Sequence, residues 1–210
     1  TYGKEVLALD DFWSSCLQAT IAVGIGTGCL VAGFVSGNKT EYGLIPLGAL
    51  GMVVFSCLMS VENPGIAWAF FNIGALGFAG GFFLVPIYAL IQQRPDKKDK
   101  GTVVGASATL TFVGVLLSAG AYYLLTSDNV LGLSAQQTFL AIGVLMLLGT
   151  SYIVYLLPDS LVRLVGFFVT RTIYRLNIVG RDNIPERGGA LFVCNHLSFI
   201  DVLLLQASTD

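Results

Sequence analysis

The 210-residue sequence predicts an all-α polytopic membrane bundle over 1–158, followed over 159–210 by the truncated start of an α/β domain. Three observations carry that prediction. Apolar residues make up 55% of the chain and charged residues 11%, with a mean hydropathy of +0.78; soluble domains carry about 25% charged residues. Five segments, roughly 12–36, 42–61, 66–92, 102–126 and 135–157, contain no Asp, Glu, Lys, Arg or His. Each reaches the ~20 residues that a helix needs to cross a ~30 Å hydrocarbon layer. After Pro158 the apolar runs shorten and arginines are spaced among them. A net charge of −2 lacks the basic footprint of a nucleic-acid binder, and no nucleic-acid partner is expected.

The spans are continuous apolar runs rather than alternating ones, which selects helices over barrel strands. In the first, Gly24-xxx-Gly28 and Gly33-xxx-Gly37 have the spacing that lets helix backbones approach closely, as does Gly77-xxx-Gly81 in the third. Gly24, Gly26 and Gly28 imitate a dinucleotide-binding loop. Such a loop follows a strand and opens a helix, whereas these glycines lie mid-span, so that reading fails. Pro46 and Pro86 fall inside the second and third spans, where proline kinks or gates a helix. Ionisable groups inside a bilayer are costly and mark ion pathways. The five spans hold none, so they provide no proton relay or voltage sensor. Their polar candidates are Asn72 and the hydroxyl cluster Ser107, Thr109 and Thr111, read as helix-to-helix hydrogen bonding.

Charge sets the expected orientation. Lys39 separates spans one and two, Arg94, Lys97, Lys98 and Lys100 separate spans three and four, and Arg163, Arg171, Arg175, Arg181 and Arg187 follow span five. Only Lys4 falls on the other face. The positive-inside rule makes the basic face cytoplasmic, which puts the N-terminus outside and the C-terminus inside. An odd span count and an opening Thr1 are expected of a piece whose preceding half is absent. Cys16, Cys29 and Cys57 lie in spans and Cys194 on the cytoplasmic side, so disulfides are not expected.

The loop Gly37-Asn38-Lys39-Thr40-Glu41 is followed by a span opening Gly43-Leu44-Ile45-Pro46-Leu47-Gly48, and the basic loop 94–101 leads into Gly105-Ala106-Ser107. In this order they resemble the second half of a major facilitator superfamily transporter. The resemblance covers about 1–158 and implies that these are the last five of twelve spans. Of the bases that the superfamily carries in its short cytoplasmic loop, only Lys39 is present.

Beyond Pro158, Leu161, Val165, Phe168, Val169 and Leu176 recur at helical spacing with Arg163, Arg171 and Arg175 between them. This predicts a basic amphipathic helix lying on the cytoplasmic interface. A sixth span is disfavoured, at roughly 2.5–3.5 kcal/mol for each arginine placed centrally. Asn177-Ile178-Val179-Gly180 reads as a short strand, 181–189 as a turn with Pro185 and the Gly188-Gly189 pair, and 190–194 as a buried strand. Asn195-His196-Leu197-Ser198-Phe199-Ile200-Asp201 follows, then an apolar helix start at Val202. A strand end feeding a helix is where α/β folds place chemistry.

A neutral imidazole accepts a proton from a hydroxyl, and a carboxylate fixes its tautomer and stabilises the cation. His196 with Asp201 is therefore the base–orienter part of a triad without a protein nucleophile, and the hydroxyl belongs to a substrate. Three readings compete. Cys194 as an acyl-bearing nucleophile is weaker than Cys194 as the close of an apolar run. One His and one Asp are too few ligands for a metal, and none is expected. Asp201 as a plain helix cap remains open on the residues alone.

The stretch from Asn183-Ile184-Pro185 through Asn195-His196-Leu197-Ser198-Phe199-Ile200-Asp201 resembles the opening of the glycerolipid acyltransferase family. That family carries a Pro-x-x-Gly turn, an apolar strand and Asn-His-x-Ser-x-x-Asp. The resemblance implies His196 as general base, Asp201 as its orienting partner, and Asn195 and Ser198 in supporting positions. The family's later blocks, a glycerophosphate-binding arginine and a Glu-Gly-Thr segment, are expected beyond Asp210, so the fragment is not expected to be active alone. A transporter half joined to this start resembles the bacterial fusion of a lysophospholipid transporter to a 2-acylglycerophosphoethanolamine acyltransferase. It implies inward transport of a lysophospholipid, lysophosphatidylethanolamine first, and its reacylation at the bacterial inner membrane. The acyl donor would be an acyl carrier protein or coenzyme A thioester, with no bound cofactor. The alternatives are a plain solute transporter with a non-catalytic cytoplasmic tail, and a membrane anchor for an acyltransferase.

Overall fold

The computed structural model describes residues 2–37, 40–62 and 64–157, together with 166, 179, 180, 183, 191, 193–195 and 201. The described residues form six helices: α1 (Tyr2–Glu5), α2 (Asp11–Ser36), α3 (Leu44–Leu58), α4 (Ile66–Gln93), α5 (Lys100–Thr126) and α6 (Ala135–Leu156). Four of them, α2, α4, α5 and α6, are long and apolar enough to cross a membrane. The second expected span is shorter than its apolar run. α3 has 15 residues, about 22 Å at 1.5 Å per residue. Its last turn tightens instead of continuing: the Met59 N–H bonds to both the Phe55 and Ser56 carbonyls, and Ser60 N–H to Cys57.

Side chains set several of the ends. Asp10 caps α2 by accepting from the Trp13 N–H at 2.8 Å. Ser134 and Gln137 form a reciprocal capping box at the start of α6, with bonds of 3.3 and 3.0 Å. Gly37 closes α2 at φ 54°, and its N–H bonds back to the Gly33 carbonyl. The expected Gly33-xxx-Gly37 crossing is thus not formed. A Cβ at either residue would meet nothing within 4 Å, and Gly37 serves instead as the positive-φ residue that stops the helix.

The other two glycine pairs face each other. A Cβ on Gly24 would strike the Gly74 carbonyl, one on Gly28 the Phe78 carbonyl, and one on Gly77 the Ile21 carbonyl. A Cβ on Gly81 would lie 2.5 Å from the Cys29 nitrogen and 2.7 Å from the Ile25 oxygen. α2 and α4 therefore run parallel, backbone against backbone, with α3 antiparallel beside them. α3 packs on α4 through Gly48, where a Cβ would lie 2.6 Å from the Phe83 nitrogen. It packs on α6 through Gly143, whose Cβ would meet the Cys57 sulfur at 2.8 Å. The buried core follows this order: Tyr2, Leu17, Met59, Ala69 and Ile73 form one cluster, and Ala32 with Leu44 a second. α5 is peripheral and buries no residue.

Both prolines are fully buried. Pro46 is the third residue of α3, where a missing N–H leaves no bond unmade, so it does not kink that helix from within. Pro86 lies inside α4, which continues past it to Gln93.

Long-range bonds sort the connections into two ends. Thr40 Oγ1 donates to Gln93 Oε1 at 3.2 Å, which brings the connections after α2 and after α4 together. At the opposite end the Tyr2 hydroxyl donates to the Met59 carbonyl at 3.3 Å, and Gln136 Nε2 to the Val61 carbonyl at 3.0 Å. Arg94, Lys97, Lys98 and Lys100 are all exposed at the first end. Lys4 sits at the other and pairs with Asp11. This is the alternation read from the charges; Lys39 and the five later arginines lie outside the described residues.

Candidate functional site

Two places are candidates for a functional site. The first is a cleft of about 260 Å³ between the last turns of α4 and the first turns of α5. Tyr88, Ile91 and Gln92 form one wall, at the i, i+3, i+4 spacing of a single α4 face. Val104, Ser107, Ala108, Thr111 and Phe112 form the other, again one helical stripe. The lining residues Gln92 and Val104 are two residues from Arg94 and four from Lys100, so a largely apolar groove adjoins a basic loop. The Thr111 hydroxyl donates to the Ser107 carbonyl at 2.9 Å. A wall hydroxyl bonded within its own helix can face an apolar guest without an unmet donor.

The hydroxyl cluster and Asn72 behave differently from the interhelical bonding read from the sequence. Thr109 and Thr111 each bond a carbonyl of their own helix four residues back, and Thr109 lies off the cleft that Ser107 and Thr111 line. Asn72 is fully buried; its Nδ2 donates to the Trp68 carbonyl at 2.8 Å on the same helix, and its Oδ1 has no partner among the described residues. The bonds between spans come from residues not singled out beforehand. Ser56 Oγ donates to the Phe139 carbonyl of α6 at 2.9 Å, and Gln136 reaches Val61. Ser56 sits on the face of α3 that also holds Ala49 and Val53, so its helical spacing was available as a signal.

The second place is the motif after Cys194. His196 and Ser198 lie outside the described residues, as does most of the expected interfacial helix 160–176, of which Gly166 is described as helical and buried. Asn195 is exposed, and Asp201 is helical and half-buried. The strand expected over 190–194 is not seen at its described positions: Leu191, Val193 and Cys194 carry no strand pairing, and Leu191 and Val193 are 91% and 87% exposed. A strand exists through its ladder, and no neighbouring strand is present among the described residues. Val179 in the other expected strand is likewise 88% exposed.

Comparison with known proteins bears on both places. Residues 175–209 match the family described as Acyltransferase. The chain is 30% identical over 141 residues to the lysophospholipid transporter LplT of Salmonella arizonae (strain ATCC BAA-731 / CDC346-86 / RSK2980), covering 66% of this chain and 34% of that protein. It is 33% identical over 85 residues to the proteins of the same name from Yersinia pestis (strain Pestoides F) and Yersinia pseudotuberculosis serotype O:3 (strain YPIII), covering 40% of this chain and 20% of each. The chain thus spans about a third or less of the length of the curated relatives it matches. No solved structure matches it. It is a multi-pass membrane protein related to LplT lysophospholipid transporters, with an acyltransferase-family region at its C-terminal end.

Proposed function

We propose that this protein brings lysophospholipid to the cytoplasmic leaflet of a bacterial inner membrane and re-esterifies it there. One observation carries the reading: a transporter-related helical segment and an acyltransferase-family segment containing Asn195-His196-x-Ser198-x-x-Asp201 occur in a single chain. The charge distribution supports the sidedness. The basic connections gather at one end of the bundle, and the motif follows a helix that runs towards that end.

In the proposed reaction, His196 takes the proton of the free glycerol hydroxyl as its oxygen attacks the carbonyl carbon of an acyl thioester. The tetrahedral adduct collapses with cleavage of the C–S bond, and the thiolate leaves with the proton returned by the imidazolium. Asp201 orients the ring and stabilises its charged form, while Asn195 and Ser198 hold the loop around it. The acyl donor is an acyl carrier protein or coenzyme A thioester, and lysophosphatidylethanolamine is the first acceptor to try. Positioned base catalysis contributes about 10²–10⁴-fold, so His196→Ala should cost at least that.

The test uses membranes from cells expressing the full-length protein, given labelled lysophosphatidylethanolamine and a long-chain acyl donor. Diacyl product that disappears in His196→Ala at unchanged protein level supports the reading. No product with any lysolipid or donor leaves a transporter with a non-catalytic tail.

A further inference from the structure

The α4–α5 cleft has the dimensions and surroundings of a lipid seat. The lining stretch of α5 from Val104 to Phe112 is eight residues, about 12 Å along the helix axis, with Lys100 about 6 Å further towards the loop. Half of a ~30 Å hydrocarbon core is about 15 Å, so the lined length of the groove matches most of the depth of one leaflet beneath the basic loop. Its volume of about 260 Å³ falls just below the ~300–1,000 Å³ of pockets that enclose a whole drug-sized ligand. That suits one extended chain rather than two. The wall is apolar at Ile91, Val104, Ala108 and Phe112.

The mouth supplies the complementary charge. Arg94, Lys97, Lys98 and Lys100 are exposed, against Asp96 and Asp99 in the same stretch. None of the four bases is in an ion pair among the described residues. A positive loop at the membrane surface attracts lipid phosphate. We propose that the α4–α5 cleft is the acyl-chain seat for a single-chain glycerophospholipid, whose phosphate rests on the loop from Arg94 to Lys100. The proposal rests on the lysophospholipid reading above and gives it a place in the bundle.

The test reconstitutes the full-length protein in phosphatidylcholine nanodiscs with a lysophosphatidylethanolamine bearing a photoreactive diazirine in mid-chain, and maps the labelled peptides. Label is expected in 88–92 and 104–112. Ala108→Trp or Thr111→Phe, each filling the groove, should lower it about tenfold or more. Val113→Trp, on the opposite face of the same helix and 47% exposed, should leave it unchanged. Lys97→Glu with Lys98→Glu should reduce labelling most at low salt, where surface charge is least screened. Unlabelled lysophosphatidylethanolamine should compete, and diacyl phosphatidylethanolamine should not. Label spread evenly along α5, indifference to both groove-filling variants, or equal competition by diacyl lipid would overturn the proposal. Lysolipid transport is measured on the same preparations. Cleft labelling without transport supports the seat and refutes the transport reading; transport without cleft labelling refutes the seat alone.

Discussion

Gly81→Ala is the sharpest probe of how this bundle holds together. The added Cβ would lie 2.5 Å from the Cys29 nitrogen, 2.6 Å from the Gly28 carbonyl carbon and 2.7 Å from the Ile25 oxygen. All three are backbone atoms of α2, so no side-chain rotation relieves the clash. Restoring ordinary contact requires α2 and α4 to separate by roughly 0.5–1 Å, a gap that forfeits about a quarter to a half of each dispersion contact along the crossing. Overpacking of this kind costs about 1–3 kcal/mol. A value near 2 kcal/mol is about a thirtyfold change in the folded-to-unfolded ratio. The matched control is Gly33→Ala, whose Cβ meets nothing within 4 Å; there the alanine gains up to ~1 kcal/mol of helix propensity. Trp13 and Trp68 report the transition by fluorescence in mixed micelles titrated with sodium dodecyl sulfate. If Gly81→Ala unfolds at the same detergent fraction as Gly33→Ala, α2 and α4 do not cross through their glycines and the packing order is wrong.

Other outcomes follow from particular bonds. Ser56→Ala removes the 2.9 Å link from α3 to the Phe139 carbonyl and should cost about 0.6 kcal/mol in the same titration, with ~1.7 as the ceiling for such bonds. Thr109→Val should be near neutral, since Thr109 bonds only its own helix at Gly105. Ser134→Ala breaks the capping box of α6 and should lower stability by about 1 kcal/mol. Burial pushes the Tyr2 phenol above its ordinary value of 10.0, so the docked N-terminal segment favours the protonated ring. That contribution is fully present below pH 10.0 and is lost as the pH rises through the raised value. Limited proteolysis of the N-terminal segment should therefore accelerate in alkali for the parent, while Tyr2→Phe shows no such alkaline step.

The sequence by itself determined where the apolar helices lie. Hydropathy is a property of each residue against a slab of fixed thickness, and the described helices fall within a few residues of the charge-free runs. It also determined which connections share an end, because chain parity and the bases at 94–100 agree with the Thr40–Gln93 and Tyr2–Met59 bonds. The family of the C-terminal stretch was legible too, since residues 175–209, which contain Asn195-His196-x-Ser198-x-x-Asp201, match the family described as Acyltransferase. The GxxxG spacing proposed three crossings, and only the tertiary structure chose among them. Gly28 and Gly81 meet, while Gly37 ends a helix at positive φ. It likewise decided that Ser56 rather than Asn72 bonds across helices, and that Ser107 and Thr111 line a groove with Tyr88 and Gln92. Those outcomes depend on how each helix is rotated about its axis and which neighbour it meets. Rotation is set by packing between segments distant in the chain, which no window of local sequence contains.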